Sequence, residues 1–183
     1  IFVVFKPAGI SATADRSSLT DNITAGVQAY FNRIGLAYQT TAINRLDFMV
    51  QGLMIFAKNK SSERRLFIAM QNRKIFKSYR AYLPYQENLP KCLRIKDMLS
   101  FKGRALADPN GKKAHSLFIK QSHSNKFVTY TVILLTGRRH QIRYHAAHYL
   151  SPLIHDSLYG KGTNKRHTAI GLIAYGLNFK LEK

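Results

Sequence analysis

One carboxylate, Asp47, stands beside a guanidinium in Asn44-Arg45-Leu46-Asp47, just ahead of the apolar run Gly52-Leu53-Met54-Ile55-Phe56-Ala57-Lys58. The chain holds nine acidic residues against twenty-nine Lys and Arg. A carboxylate in that background is either a counter-charge that steadies the fold or a reagent. A second group is Thr136-Gly137-Arg138-Arg139-His140-Gln141-Ile142-Arg143. It places three arginines and a histidine after a glycine turn, at the start of a predicted helix. Such a turn aims guanidinium groups and free backbone amides at an anion. The anion is a phosphate or the Asp47 carboxylate itself; a solvated basic turn is the plainer alternative. A third group is Lys77-Ser78-Tyr79, where Lys77 and Tyr79 share one face of a predicted strand. A ring beside a cation suits stacking on a nucleobase, and a tyrosine in the sheet core is the plainer reading.

Other chemistries find less support. His145 and His148 lie three apart on the predicted helix, with His140 about a turn earlier. Metal binding needs converging ligands, and apart from Asp156 no acidic or cysteine cluster lies near, so these histidines read as surface or structural. No G-x-S-x-G elbow occurs, and Tyr159-Gly160-Lys161-Gly162 lacks the ending of a phosphate loop. Neither a metal nor a nucleotide cofactor is expected.

These groups must be held by elements that the sequence outlines. Residues 1–6 read as a strand that ends in the turn Lys6-Pro7-Ala8-Gly9. A helix is expected over residues 18–35, with Ser18, Thr20 or Asp21 as N-cap, Val27 and Phe31 inward, and Gly35 as the stop. Residues 53–58 read as a short buried strand. A second helix opens at Ser61-Ser62-Glu63, with Leu66, Phe67 and Met70 on its apolar side and Arg64, Arg65 and Arg73 elsewhere. Residues 76–83 alternate as a strand, 84–90 form a loop, and 91–112 read as irregular and polar, with a turn at Asp108-Pro109-Asn110-Gly111. Strands follow near 113–120 and 127–135, then a helix over 140–149, a loop over 151–167 and a last strand over 171–181. Strands outnumber helices and come in adjacent runs, which predicts an α+β fold with a mixed, largely antiparallel sheet and flanking helices. One domain over residues 1–183 is the simplest partition.

Composition bounds the setting. A hydrophobic fraction of 45% with eleven Phe describes a globular chain. No apolar run approaches the roughly 20 residues that cross a bilayer, and the first residues read as a strand instead of a secretory leader. The chain opens on Ile1 without a Met and is read as a fragment of a longer protein. Cys92 is its only cysteine, so no internal disulfide forms, which fits a reducing compartment, most simply the cytoplasm. The formal net charge of +20 makes nucleic acid the expected partner and a membrane surface a poor one. A monomer is expected.

Taken in order, the motifs resemble those of the RluA-type RNA pseudouridine synthases. Lys6-Pro7-Ala8-Gly9 resembles the opening motif of that family, and Arg45-Leu46-Asp47 with Gly52-Leu53 its catalytic motif. Lys77-x-Tyr79-x-Ala81 is similar to its central strand motif, and Gly137-Arg138-Arg139-His140-Gln141-Ile142-Arg143 with His145 to its arginine motif. Asp156-Ser157-Leu158-Tyr159-Gly160 resembles the segment that follows, and Leu172, Ala174, Leu177 and Phe179 the closing strand. Asn44 stands where the family usually has His, Val50-Gln51 where it has Thr-Ser, His155 where it has Gly, and Ile173 where it has His.

The resemblance implies the pseudouridine synthase fold with a central active-site cleft, and isomerisation of a specific uridine in structured RNA, ribosomal before transfer RNA. It implies Asp47 as the catalytic carboxylate, Arg138 as the arginine that pairs with it, and Tyr79 as the aromatic residue against the target base. A uridine inside a stem must be extruded, and Arg45 would fill the gap it leaves. Lys77, Arg139, His140, Gln141 and Arg143 are the further residues expected to bind RNA. The rival readings are a non-catalytic RNA-binding or assembly protein that keeps the fold, and a DNA-binding protein. Against the latter, no zinc-finger spacing, basic zipper or helix-turn-helix appears.

Overall fold

The computed structural model describes residues 1–14, 19–160 and 168–179. The chain divides into two compact units, Ile1–Ile75 with Leu177–Lys183, and Phe76–Gly176. The fold is α+β: eight strands and three helices lie among the described residues.

In the first unit β1 (Phe2–Lys6) pairs antiparallel with β2 (Gln51–Phe56), Lys6 opposite Gly52. The second strand thus starts two residues earlier than the expected Leu53 and ends before Lys58, because its limits follow its partner and not its hydropathy. Helix α1 (Ile23–Arg33) begins at Asn22, not at Thr20 or Asp21. The extended Asn22 accepts from Ala25 N at 3.0 Å and donates to Leu19 O at 3.1 Å, so its amide serves both sides of the cap. Ser18 lies outside the described residues. Val27 and Phe31 are buried as expected. The helix ends in a Schellman motif, with Gly35 N donating to Asn32 O and Leu36 N to Phe31 O; Gly35 takes φ +71, a conformation in which it has no Cβ to clash.

Helix α2 (Lys60–Gln71) is capped by Asn59, whose side chain and that of Ser62 satisfy each other's backbone amides. Leu66 and Ala69 face a core with Ile43, Ile55 and Ile75, while Phe67 points outward and is 41% exposed. Phe67 is therefore not on the apolar side: one residue from Leu66 is about 100° around the helix.

In the second unit the strand order is β8-β3-β7-β6-β4-β5, for β3 (Ile75–Pro84), β4 (Cys92–Lys102), β5 (Arg104–Ala107), β6 (Lys112–His123), β7 (Phe127–Leu134) and β8 (Leu172–Phe179). The β3–β7, β4–β5, β4–β6 and β6–β7 pairings are antiparallel. Two of these strands occupy the stretch expected to be irregular. In β4, Ile95 and Leu99 face inward while Arg94, Lys96 and Lys102 are exposed, so the charged outer face masks the alternation. A turn at Gly103, φ +70, folds β5 back onto β4. The turn at Asp108 is present, with Gly111 N donating to Asp108 O at 2.8 Å. Helix α3 (Gln141–Tyr149) packs on one sheet face, where Tyr144 joins Leu99, Ala105 and Ala114. The last strand is described from Leu172 to Phe179, and residues 180–183, with Leu181 among them, lie outside the described residues. No described helix is long and apolar enough to cross a membrane.

Candidate active site

Asp47 is half-buried in a loop fixed from both sides. Ahead of it the chain runs along β2: Ile43 N donates to Ile55 O at 2.9 Å and Ala57 N to Thr41 O at 3.3 Å. The buried Asn44 completes this seam, its Nδ2 donating to Leu53 O at 3.1 Å and its Oδ1 accepting from Ile55 N at 2.8 Å. An amide donates and accepts at once, as both bonds of this seam require. After Asp47, a turn closes through Val50 N donating to Asp47 O at 3.0 Å. Buried Gly52 then takes φ +136, a conformation costly for any residue with a Cβ.

Lys6 is the group that sequence reasoning left out of the site. It is fully buried, and its Nζ donates to Pro7 O and Ile10 O at 2.8 Å and to Phe48 O at 3.1 Å. Gly9 N donates to the same Phe48 oxygen at 2.9 Å. Two donors from the opening turn therefore pin the residue next to Asp47. Burial pulls the Lys6 ammonium down to about 8, while the Asp47 charge acts in the opposite direction. A lysine at a strand end ordinarily reads as a surface group, so only its place in Lys6-Pro7-Ala8-Gly9 pointed to it. Lys6→Met removes the ammonium and keeps the bulk. Its expected effect is about a tenfold or greater fall in the turnover of whatever reaction Asp47 serves, with KM changed far less, because a shift of the loop by a fraction of an ångström spoils alignment. Steady-state kinetics beside a thermal melt check this.

Arg45 is exposed next to Asp47 in the first unit; the other predicted residues belong to the second. Lys77 and Tyr79 share a face of β3, opposite Leu134 and Val132 of β7. Tyr79 is 6% exposed. Burial lowers the Lys77 ammonium below the usual lysine range, and a Cβ at Gly137 would stand 3.2 Å from its Nζ. The glycine thus lets the arginine turn close onto Lys77.

Gln141 latches that turn. Its Oε1 accepts from Thr136 Oγ1 at 2.8 Å and Arg138 N at 3.0 Å, and its Nε2 donates to His115 O and Ser116 Oγ at 2.9 Å. Gln141, expected from the sequence to bind RNA, is 2% exposed and spends its polar capacity on the scaffold around Arg138. Arg138 is exposed, with Nε donating to Lys113 O at 3.0 Å. Arg139 lies 4.2 Å over the Phe101 ring.

Arg143 is likewise scaffold. It is 7% exposed and grips the buried Asp156 carboxylate by both arms, Nε to Oδ2 at 2.7 Å and Nη2 to Oδ1 at 2.8 Å. Its Nη1 also donates to His140 Nε2 at 3.1 Å. A guanidinium cannot accept, so Nε2 carries the lone pair and Nδ1–H donates to Tyr159 Oη at 3.1 Å. These partners hold His140 at φ +56, a left-handed backbone at the start of α3. Asp156 follows His155, whose φ of +61 explains why the resembled family places Gly there.

Behind the turn, His145 is wholly buried, its Nδ1 against Ser116 Oγ at 2.9 Å and its Nε2 without a partner in the structure. Burial holds this imidazole down to about 4 against its ordinary 6.5. The unfolded chain therefore binds the extra proton first: His145 stabilises fully above pH 6.5, and that contribution drains away as the pH falls towards 4. The loss approaches about 3 kcal/mol. Denaturant melts at stepped pH should show this slope, and His145→Gln should flatten it. Among the described residues no group of three or more His, Cys, Asp or Glu is placed to hold a metal ion.

The sequence profile described as RNA pseudouridylate synthase matches residues 1–148. Ribosomal large subunit pseudouridine synthase D of Yersinia pestis is 29% identical over 164 residues, 87% of this chain and 50% of that protein. The chain thus spans about half the length of that relative. An uncharacterized RNA pseudouridine synthase of Zymomonas mobilis is 30% identical, with 99% of this chain and 84% of that protein covered. In three dimensions, human RNA pseudouridylate synthase domain containing 1 superposes with a TM-score of 0.81 at 19% identity, covering 98% of this chain and 75% of the human one. With the ordered motifs, these matches settle the family: the chain belongs to the RNA pseudouridylate synthases, of RluA type.

Proposed function

We propose that this chain isomerises a uridine of structured RNA to pseudouridine, with Asp47 as the reagent carboxylate and ribosomal RNA ahead of transfer RNA as substrate. The reaction breaks the bond between ribose and ring nitrogen, turns the base and rejoins it through carbon. It needs no redox change and no energy input. It needs a carboxylate held still, a pocket that excludes water, and a base taken out of its stack. The observation that carries the reading is the loop: Asn44 on one side, and Lys6 with Gly9 on the other, fix the backbone around the half-buried Asp47.

The remaining roles follow from chemistry and from membership of the family. Arg138 would orient the Asp47 carboxylate with its two-armed fork, which a lysine cannot reproduce. Tyr79 would stack on the target base and take part in proton removal. Arg45, exposed beside Asp47, would fill the gap left by the extruded uridine. Lys77 and Arg139 would meet phosphates. The rRNA preference rests on a relative that is named a ribosomal large subunit enzyme.

The test is direct. Transcripts of ribosomal RNA carry tritium on the uracil carbon that becomes the new glycosidic carbon. The purified protein should release that tritium into water, and reverse-transcription mapping should place the pseudouridine at one site. RNA retained on a gel with no tritium released would refute the enzyme reading.

A further inference from the structure

The sheet of the second unit has two faces, and α3 packs on only one of them. Ala114 and Ser116 of β6 point towards α3, as their contacts with Tyr144, Gln141 and His145 show. By register, Lys77 and Tyr79 share that side. The other side carries Phe76, Arg80 and Tyr82 from β3, Thr131 from β7, Tyr175 from β8 and, further along, Arg94 and Lys96 from β4. The unit's sole described helix is on the opposite face.

Its composition is unlike an idle surface. Phe76 is 50% exposed, Tyr175 43% and Phe127 37%. Arg80 lies 5.0 Å over the Tyr175 ring, whose hydroxyl is 3.4 Å from Thr131 Oγ1, so the ring is braced from below and at its edge. Tyr82 and Phe127 meet edge to face at 5.8 Å. At the far end a groove of about 500 Å³ opens between Lys96, Met98, Lys113 and His115 and the turn at Asp108. The two carboxylates at its rim are engaged: Asp97 takes the Tyr149 hydroxyl and Asp108 the Asn110 amide. Four strand spacings separate β8 from β4, about 19 Å.

We propose that this face is a second RNA-binding surface, on which bases of a single-stranded segment stack against Tyr175 and its neighbours while Arg94, Lys96 and Lys113 take phosphates. Braced rings flanked by cations are what sequence-tolerant binding of single strands uses. A protein partner would more commonly cover a face depleted in charge. The proposal rests on RNA being the substrate, and it puts substrate contacts on the sheet face turned away from Tyr79.

A fluorescent oligouridylate carrying 4-thiouridine is titrated into the full chain and then cross-linked by light, and the attached peptides are mapped. Cross-links should fall on the β8 and β3 peptides that hold Tyr175 and Tyr82. Tyr175→Ala should weaken binding about tenfold and Tyr175→Phe should not. Lys96→Gln, at an exposed site that leaves the fold intact, should lower the slope of log affinity against log salt by about one. Tritium release from a minimal stem-loop at saturation should persist in both Tyr175→Ala and Lys96→Gln. Cross-links confined to the peptides of Asp47 and Arg138, with affinity unchanged in these variants, would overturn the surface and leave the isomerase reading standing. A dimer in sedimentation that Tyr175→Ala disperses would also overturn it, in favour of a second copy. Wild-type protein that neither binds nor isomerises RNA would sink both readings together.

Discussion

Asp47→Asn lowers tritium release from labelled RNA by at least about 10³-fold while the affinity for that RNA stays within about threefold. The substitution keeps the shape of the side chain and removes its charge and its basicity. The turn that carries it is closed by backbone groups, Val50 N on Asp47 O and Gly9 N on Phe48 O, and these do not change. Asn44 and Lys6 likewise hold the loop through atoms outside the Asp47 side chain. A folded, RNA-binding, inactive protein is therefore the expected result. Single-turnover tritium release and a gel shift measure the two halves. If the variant retains a tenth of the wild-type rate, the Asp47 carboxylate is not the reagent, and the chemistry belongs to another group.

What could be read from the sequence depended on whether a residue's role is local. The strand ending at Lys6, the burial of Val27 and Phe31, and the stop at Gly35 all follow from spacing along one segment, and the structure agrees. The irregular reading of residues 91–112 failed because Arg94, Lys96, Asp97, Ser100 and Lys102 interrupt the apolar residues of β4, and such a mixture resembles a polar loop. The first helix begins after Asn22, a residue outside the three expected caps, because its backbone is extended and its side-chain amide reaches both Ala25 N and Leu19 O. The site residues divide in the same manner. Motif order named Asp47, Tyr79 and Arg138. Spacing could not tell which polar members of the arginine motif face outward and which inward: Gln141 and Arg143 are buried and bonded to scaffold partners. Lys6 escaped because a lysine gives no sign in sequence that its own turn will curl round it, with Pro7 O and Ile10 O, and meet the distant Phe48 O.

Asp156→Ala is expected to destabilise the protein by about 3–5 kcal/mol, since it strands a buried guanidinium. Arg143 is 7% exposed and Asp156 3%, and their two parallel bonds of 2.7 and 2.8 Å leave little room for water to replace the lost partner. For a chain of this length such a loss lowers the melting temperature by roughly 10–15 °C. Activity should fall beyond what the loss of folded protein explains. Arg143 also fixes the His140 tautomer, and Asp156 Oδ1 accepts from Leu158 N, so the pair ties the segment after α3 to the start of the helix that follows Arg138. The decisive variant is the double replacement Arg143→Met with Asp156→Leu. Removing both charges ends the cost of burying either alone, so the double variant should be more stable than Asp156→Ala, even though it contains one further change. Yet it should not recover turnover, because the apolar pair cannot hold His140 in its left-handed backbone or set its proton on Nδ1. Melts and single-turnover rates on the same three proteins separate these outcomes. A double variant that regains both stability and rate would show that the ion pair serves packing alone; one that melts no higher than Asp156→Ala would mean that the bidentate geometry itself, and not the stranded charge, carries the stability.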